Sequence, residues 1–285
     1  LLSGELATHL SGRTISFRIM PFNFAEFCEF KMQGGTTKSR EELLEEFMKW
    51  GGFPLVCKET DEISKEIVLS NIFDSVVLKD IMMRNKIVSP TALEKVLEYV
   101  VANSSTTISG NSIAAALSDE NQSVSAPTVY DYLKYISEAC ICDKVLRYDI
   151  RGKKILAYEE KTYVCDLGFF QLKKNRVKDE YNYIVETICY NELISRGYNV
   201  YIGKTYKGEV DFIAEKGKEK FYVQAAYLLS DEAVIEREFG AYDAINDNYP
   251  KYVISMDKIQ MSRDGIIHLN LSDFLMNNKL NSEEL

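Results

Sequence analysis

YNYIVETICYNELISRGYNVYIGKTYKGEVDFIAEKGKEKFYVQAAY, residues 181–227, decides how the last third of this chain folds. It opens as a helix from about Tyr181 to Arg196 and continues as three strands, NVYIGK, GEVDFIAE and KFYVQAAY, punctuated at Gly208 and Lys216–Gly217 by hairpin turns. A charged helix follows, then the strands KYVISM and GIIHLN and a final helix. Helix, three strands, helix, two strands is a mixed α/β layout with a core of its own. The first helix carries Glu186. The second strand carries Asp211, preceded by Gly208 and Glu209, and the third carries Gln224, Ala225 and Ala226.

That order of residues resembles the restriction-endonuclease-like fold. The resemblance implies an acid from the first helix, an Asp in the second strand and an acid-x-Lys in the third, which together hold Mg²⁺ and activate water. Two hard carboxylates fix the cation while the lysine steadies the hydroxide and the transition-state charge. Here the third-strand acid is Gln224 and the lysine position is Ala226. Glu186, Asp211 and Gln224 are therefore the candidate catalytic set, expected to be the remnant of a nuclease site, and no residue is assigned as a metal ligand. Lys204 and Lys220 are the lysines considered as replacements, and Glu192 is a second helical acid, expected in solvent. The bland reading of Asp211 is a hairpin residue of an amphipathic strand. Tyr181, Tyr183, Tyr190, Tyr198, Tyr201 and Tyr206 read as core and strand filler rather than a stacking platform.

Upstream, Leu43, Leu44, Phe47 and Trp50 fall at helical spacing and GGFP ends the helix. A second helix is expected over Ile63–Met83, with Thr91–Val101 completing a helical unit. Ser112–Leu117, a helix opened by Pro127, and two strands at Asp143–Asp149 and Lys154–Tyr158 give three helices and a basic hairpin, the outline of a winged helix-turn-helix. Its candidate nucleic-acid-binding residues are Thr128, Tyr130 and Lys134 on the last helix and Arg147, Arg151, Lys153 and Lys154 around the hairpin. A cationic wing grips phosphate while a helix reads a groove. Acids in the same stretch dilute the patch, and a rigid spacer is the competing reading.

The opening residues read as a short helix and a strand, Thr14–Met20, followed by PFNFAEF. A lone strand needs a parent sheet, so the chain is taken as a fragment. LSGELATHLSGR, PFNFAEF, WGGFP, YNELISRGYNVYIGK, GEVDFIAE and YVQAAYLL in this order resemble the prokaryotic AAA-type ATPases that bear a C-terminal domain of unknown function. The resemblance covers essentially the whole chain. It implies a P-loop core, a helical lid, a winged helix and a nuclease-like terminal domain. The corresponding division is 1–33 for the tail of the core, 34–90 for the lid, 91–165 for the winged helix and 166–285 for the terminal domain. The fold class is thus multidomain α+β/α/β.

No GxxxxGK[ST] loop is present, and GGTTKS (Gly34–Ser39) has the wrong spacing and reads as a linker. This chain alone is expected to hold no cofactor; ATP and Mg²⁺ are implied for the full-length protein. Arg13 and Arg84 are the candidates for the arginine that completes such ATP sites, against the plain alternative of a surface ion pair.

A net charge of −9 repels polyanions, so any nucleic-acid contact is a local patch. Six scattered cysteines without a CxxC, and only two histidines, His9 and His268, argue against a disulfide framework or a zinc site. No apolar run reaches the length of a membrane span. The expectation is the cytoplasmic, regulatory and nucleic-acid-associated portion of an AAA-type ATP-binding protein, with a nuclease-like domain that has lost its chemistry. DNA and a second copy of the chain, joined through the ATPase core, are the partners this implies. The alternatives are a Mg²⁺-dependent DNase with a variant site and a protein-interaction platform.

Overall fold

The computed structural model describes residues 17–119, 124–172 and 180–277. Arg13, the expected opening helix and the start of the Thr14–Met20 strand lie outside them, and residues 17–20 are not strand. Helices α1 (Phe24–Gln33) and α2 (Arg40–Trp50) each begin with a reciprocal cap. The Asn23 and Ser39 side chains accept from the backbone N–H of Glu26 and Glu42, and those two carboxylates accept from the cap residues' own N–H. α3 (Pro54–Lys58) and α4 (Glu62–Ser75) follow. The expected Ile63–Met83 helix is α4 running into a π-helical stretch, Val76–Met82. α5 (Pro90–Ala102) and α7 (Ala126–Glu138) start with a serine cap and a proline in the first turn, where the missing N–H costs nothing; α6 (Gly110–Asp119) lies between them.

The strands form one mixed sheet of seven among the described residues, so the chain has the α+β architecture expected of it. The strands are β1 (Cys142–Asp149), β2 (Lys154–Val164), β3 (Asn199–Lys204), β4 (Glu209–Lys216), β5 (Glu219–Ala225), β6 (Lys251–Ser255) and β7 (Ile266–Asn270), in the order β2-β1-β3-β4-β5-β6-β7. β3, β4 and β5 are antiparallel neighbours, as short hairpins demand, and β5, β6 and β7 are parallel. Helix α8 (Glu180–Ser195) packs on one face through Val185, Ile188, Cys189 and Leu193. α9 (Glu232–Gly240) covers the other, where Phe239 meets Ile213, Tyr222 and Val253. The last helix among the described residues, α10 (Leu271–Met276), packs against β7 and α1.

The hairpin expected as a free wing is built into this sheet. β1 runs parallel to β3, with Arg147 opposite Ile202 and Asp149 opposite Lys204. The expected division at 165/166 is therefore crossed by hydrogen-bonded strands, and one apolar core runs from Phe24 to Leu275. β2 is also twice as long as read from sequence, continuing to Val164 instead of stopping at Tyr158. Its outer edge is occupied by the turn after α5: Ser105 N–H donates to the Thr162 carbonyl at 2.7 Å, and Thr107 bridges Lys161.

Helical and sheet halves meet at Asp166, which is 2% exposed. Its carboxylate accepts from Gly52 N–H and Gly168 N–H, both at 2.8 Å. Gly51 ends α2 at φ 71, where any Cβ would run into that carboxylate. Burial pushes the Asp166 pKa up to about 7, partly offset by the N–H groups of Gly52, Gly168 and Phe53. A carboxyl whose folded pKa lies above its unfolded one contributes stability that is complete below the unfolded value and is lost as pH rises through the folded value. Wild-type unfolding free energy is thus expected to fall as pH rises from the ordinary Asp range through about 7. Urea titrations should show this slope vanish in Asp166→Asn, whose stability is lower but flat over the same window.

Candidate functional site

Alternation along β2 sends Lys161 and Tyr163 to the α8 face of the sheet, and a charged lysine is tolerated there because acids from two other elements meet it. The Lys161 ammonium donates to Glu186 of α8 at 2.9 Å and to Glu209 of β4 at 2.5 Å, and lies 3.9 Å from Asp211 of β4. Tyr163 O–H donates to the same Glu186 oxygen at 2.7 Å. The second oxygen of Glu209 holds Arg147 of β1 at 2.6 Å, and Arg147 also donates to the Thr107 hydroxyl at 2.9 Å. Lys161 and Asp211 are 8% and 9% exposed, so these charges interact through protein rather than bulk water.

Asp211 is held in turn by β5. One carboxylate oxygen accepts from Ala225 N–H at 2.9 Å, and Asp211 N–H donates to the Gln224 side-chain carbonyl at 3.2 Å. Gln224 spends its amide N–H on Glu238 of α9 at 2.8 Å, and Arg237 takes the other Glu238 oxygen. Asp211, Gln224, Glu209 and Arg237 line a cleft of about 490 Å³, so the cluster has a mouth.

Protonation follows from this geometry. Burial opposes the charged form of Lys161, but Glu186, Asp211 and Glu209 together outweigh it and hold the ammonium charged well above the usual lysine range. Burial and the neighbouring Glu186 push Asp211 well above the usual carboxylate range, with Lys161 and the Ala225 N–H pulling the other way. Burial and Glu186 push Tyr163 up as well, so it stays a phenol and a donor.

Of the expected site residues, Glu186, Asp211 and Gln224 do converge. The lysine that joins them is neither Lys204 nor Lys220. Lys204 stands opposite Glu209 in the β3–β4 ladder, and Lys220 pairs with Glu215 at 3.0 Å beneath the rings of Tyr148, Tyr222 and Tyr249. Ala226, at the position the resemblance reserves for lysine, is buried in the second apolar cluster. Lys161 escapes a reading of the sequence that ends its strand at Tyr158. The remaining signal, a lysine between strand residues, has no local meaning until Glu186 and Glu209 arrive.

Arg147 lies apart from the other hairpin cations: its guanidinium is taken up inside the cluster, 11% exposed, by Glu209 and Thr107. Arg151, Lys153 and Lys154 are exposed at the hairpin turn. On α7, Tyr130 is half-exposed against Gly110, Lys134 faces Glu138, and Thr128 shares a hydrogen bond with Ser125 at the helix start. Arg84 makes the local ion pair with Asp80, at 2.9 Å. Glu192, expected in solvent, is 3% exposed and bound to Arg196 at 2.7 Å, because α8 is buried on nearly every side. Of the tyrosines, Tyr190 stacks on Tyr163 and Tyr198 packs edge-on to Phe221, whereas Tyr181 and Tyr206 are exposed.

The resemblance to nucleases implies Mg²⁺ at this cluster, and the residues present do not fit it. The point on which Glu186, Glu209 and Asp211 converge is filled by the chain's own ammonium, and Gln224 is turned to Glu238. Among the described residues no group of three or more His, Cys, Asp and Glu side chains is arranged to hold a metal ion. Ser255 of β6, His268 of β7 and Asp257 just beyond β6 are also joined: the Ser255 O–H donates to Asp257 at 2.8 Å, and Ser255 shares a hydrogen bond with His268 Nε2 at 2.9 Å.

Residues 41–178 match a domain of unknown function, DUF8612. The match takes in Arg147, Lys161 and Tyr163 and stops before Glu186. An uncharacterised protein of Haemophilus influenzae is 35% identical over 277 residues, 97% of this chain and 68% of its own length. An uncharacterised protein of Methanocaldococcus jannaschii is 34% identical over 261 residues, 87% of this chain and 57% of its own length. The chain thus spans about two thirds of the first relative and less of the second.

If the ammonium is what holds these acids together, Lys161→Met should cost about 3–5 kcal/mol in urea unfolding, because it leaves buried carboxylates without a counter-charge. Tyr163→Phe, which removes one hydrogen bond to a charged acceptor, should cost about 1.5–3 kcal/mol.

Proposed function

The chain belongs to the same family as the uncharacterised Haemophilus influenzae protein, and on that premise we propose that it is the C-terminal, nucleic-acid-associated portion of an AAA-type ATP-binding protein whose restriction-endonuclease-like sheet does not cleave. One observation carries the reading: the Lys161 ammonium sits among Glu186, Glu209 and Asp211, where the resemblance would place a divalent cation. A lysine held there supplies a fixed counter-charge to these acids, so the scaffold persists without a metal and presents its surface rather than its chemistry. The motifs from PFNFAEF through WGGFP support the ATPase parentage, and the matched relatives have further chain beyond the region they share with this one. ATP, Mg²⁺ and assembly through the ATPase core belong, in this reading, to the full-length protein in the cytoplasm.

Nucleic-acid contact falls to the exposed Arg151, Lys153 and Lys154 of the hairpin turn and to Tyr130 and Lys134 of α7, without Arg147. Phosphate gripped by such a turn gives salt-sensitive binding. A second reading, a Mg²⁺-dependent DNase in which Lys161 replaces the lost third-strand lysine, is favoured by the 3.9 Å between Lys161 and Asp211.

Supercoiled plasmid incubated with the chain in Mg²⁺ or Mn²⁺ separates the two. The proposal expects no nicking, together with a Mn²⁺-dependent rise in Tm for Lys161→Ala that wild type lacks, since the variant frees three carboxylates for a cation. Cleavage by wild type that disappears in both Asp211→Ala and Lys161→Met would establish the DNase instead. A gel shift should be present at low salt. Neutralising Arg151, Lys153 and Lys154 together should flatten the log–log salt slope by about 0.9 for each phosphate no longer neutralised.

A further inference from the structure

A second charged cluster lies in the helical half, away from Lys161. Glu46 of α2 has a side chain only 8% exposed and serves three lysines. One oxygen accepts from Lys31 at 2.8 Å and from Lys65, and the other accepts from Lys38 at 2.6 Å. Lys31 also donates to the Cys57 carbonyl at 2.8 Å, and Lys65 is buried. Burial opposes ionisation of Glu46, but the three ammonium groups hold it down at about 2, so it is an anion at every physiological pH.

One carboxylate cannot balance three ammonium groups. Lys31, Lys38 and Glu46 open onto a cleft of about 570 Å³, together with Gly34, Gly35 and Lys58. Among the described residues that line it, the other acid is Glu59; the three lysines of the wall (Lys31, Lys38 and Lys58), together with Lys65, which is buried against Glu46 and outside the lining, outnumber the two carboxylates by two. Gathering like charges at a half-buried surface is unfavourable unless a counter-ion joins them. The cleft is walled by the GGTTK segment that reads as a linker in the sequence. Gly35 sits there at φ 77 with open space where a Cβ would be, so nothing projects into the approach. An ammonium has three donors, and Glu46 takes one of those on Lys38, which is half-exposed.

We propose that this cleft binds a small phosphate-bearing anion of at least two negative charges, with Lys31, Lys38 and Lys58 as its ligands and Glu46 as the positioning residue that holds the first two in place. Tetrahedral phosphate oxygens accept from several point-charge ammonium groups at once, and the volume admits a pyrophosphate or a phosphorylated small molecule rather than a lone halide. This site shares no residue with the nuclease-like cluster or the hairpin turn, so it stands or falls independently of the function proposed above.

The test is calorimetric titration of the full chain with inorganic pyrophosphate at low salt, with inorganic phosphate and ATP as comparators. Pyrophosphate should bind more tightly than phosphate. Lys38→Gln/Lys58→Gln, two changes at exposed positions, should weaken it about tenfold or more while leaving the circular dichroism unchanged, with the urea midpoint lowered only by loss of the Lys38–Glu46 pair. Neutralising Arg151, Lys153 and Lys154 should leave it intact. ATP binding no tighter than pyrophosphate assigns the site to the phosphate moiety alone, and tighter ATP binding assigns it to a nucleotide; both support the proposal. No pyrophosphate binding at millimolar concentration, equal binding by the double variant, or equal loss in the hairpin variant would overturn it.

Discussion

A single ammonium group, set among three carboxylates from a helix and a strand, fixes how the sheet is assembled. Lys161 reaches Glu186 on α8 and Glu209 and Asp211 on β4 only because β2 is paired to β1 and β1 to β3. In a medium that screens poorly, removing any one partner strands the others, so the ion cluster and the strand order require each other. Arg147 extends the same logic outward, tying β1 to Glu209 and to the turn after α5. The cluster is therefore structural before it is anything else, whatever chemistry its residue types suggest.

The joint at Asp166 works by a different constraint. Three glycines, Gly51, Gly52 and Gly168, let two backbone segments close around one carboxylate, and each has a neighbour so near that no side chain could be accommodated. Close packing of backbone on backbone is what allows α2 and the 3₁₀ turn Leu167–Leu172 to share a core with the sheet. The helical half is consequently seated on the sheet rather than tethered to it.

Much of the fold is legible in the sequence because it is local. Caps at Asn23 and Ser39, the prolines that open α5 and α7, the hairpin glycine at 217 and the apolar strands β3 to β6 declare themselves within a few residues. Glu186, Asp211 and Gln224 come together through the order of elements. What escapes is non-local. Glu159–Glu160–Lys161 falls beyond the strand read to Tyr158, since the acid that pairs with the lysine lies 25 residues on. Arg147 reads as a wing cation until Glu209 is brought beside it, and Glu192 reads as solvated until Arg196, itself held over the Phe274 ring of α10, meets it. In each case a charge is placed in water because its partner is distant along the chain.

The turn that follows α5 has one last effect. By bonding to the free side of β2 at Thr162 and Lys161, it closes the outermost rim of the sheet over the stretch that carries the lysine. An unprotected rim is a template onto which a foreign strand can zip, and lengthening the sheet there would drag Lys161 out of register. Residues 104–107 act as a stopper: along this rim the sheet ends where its ion cluster begins.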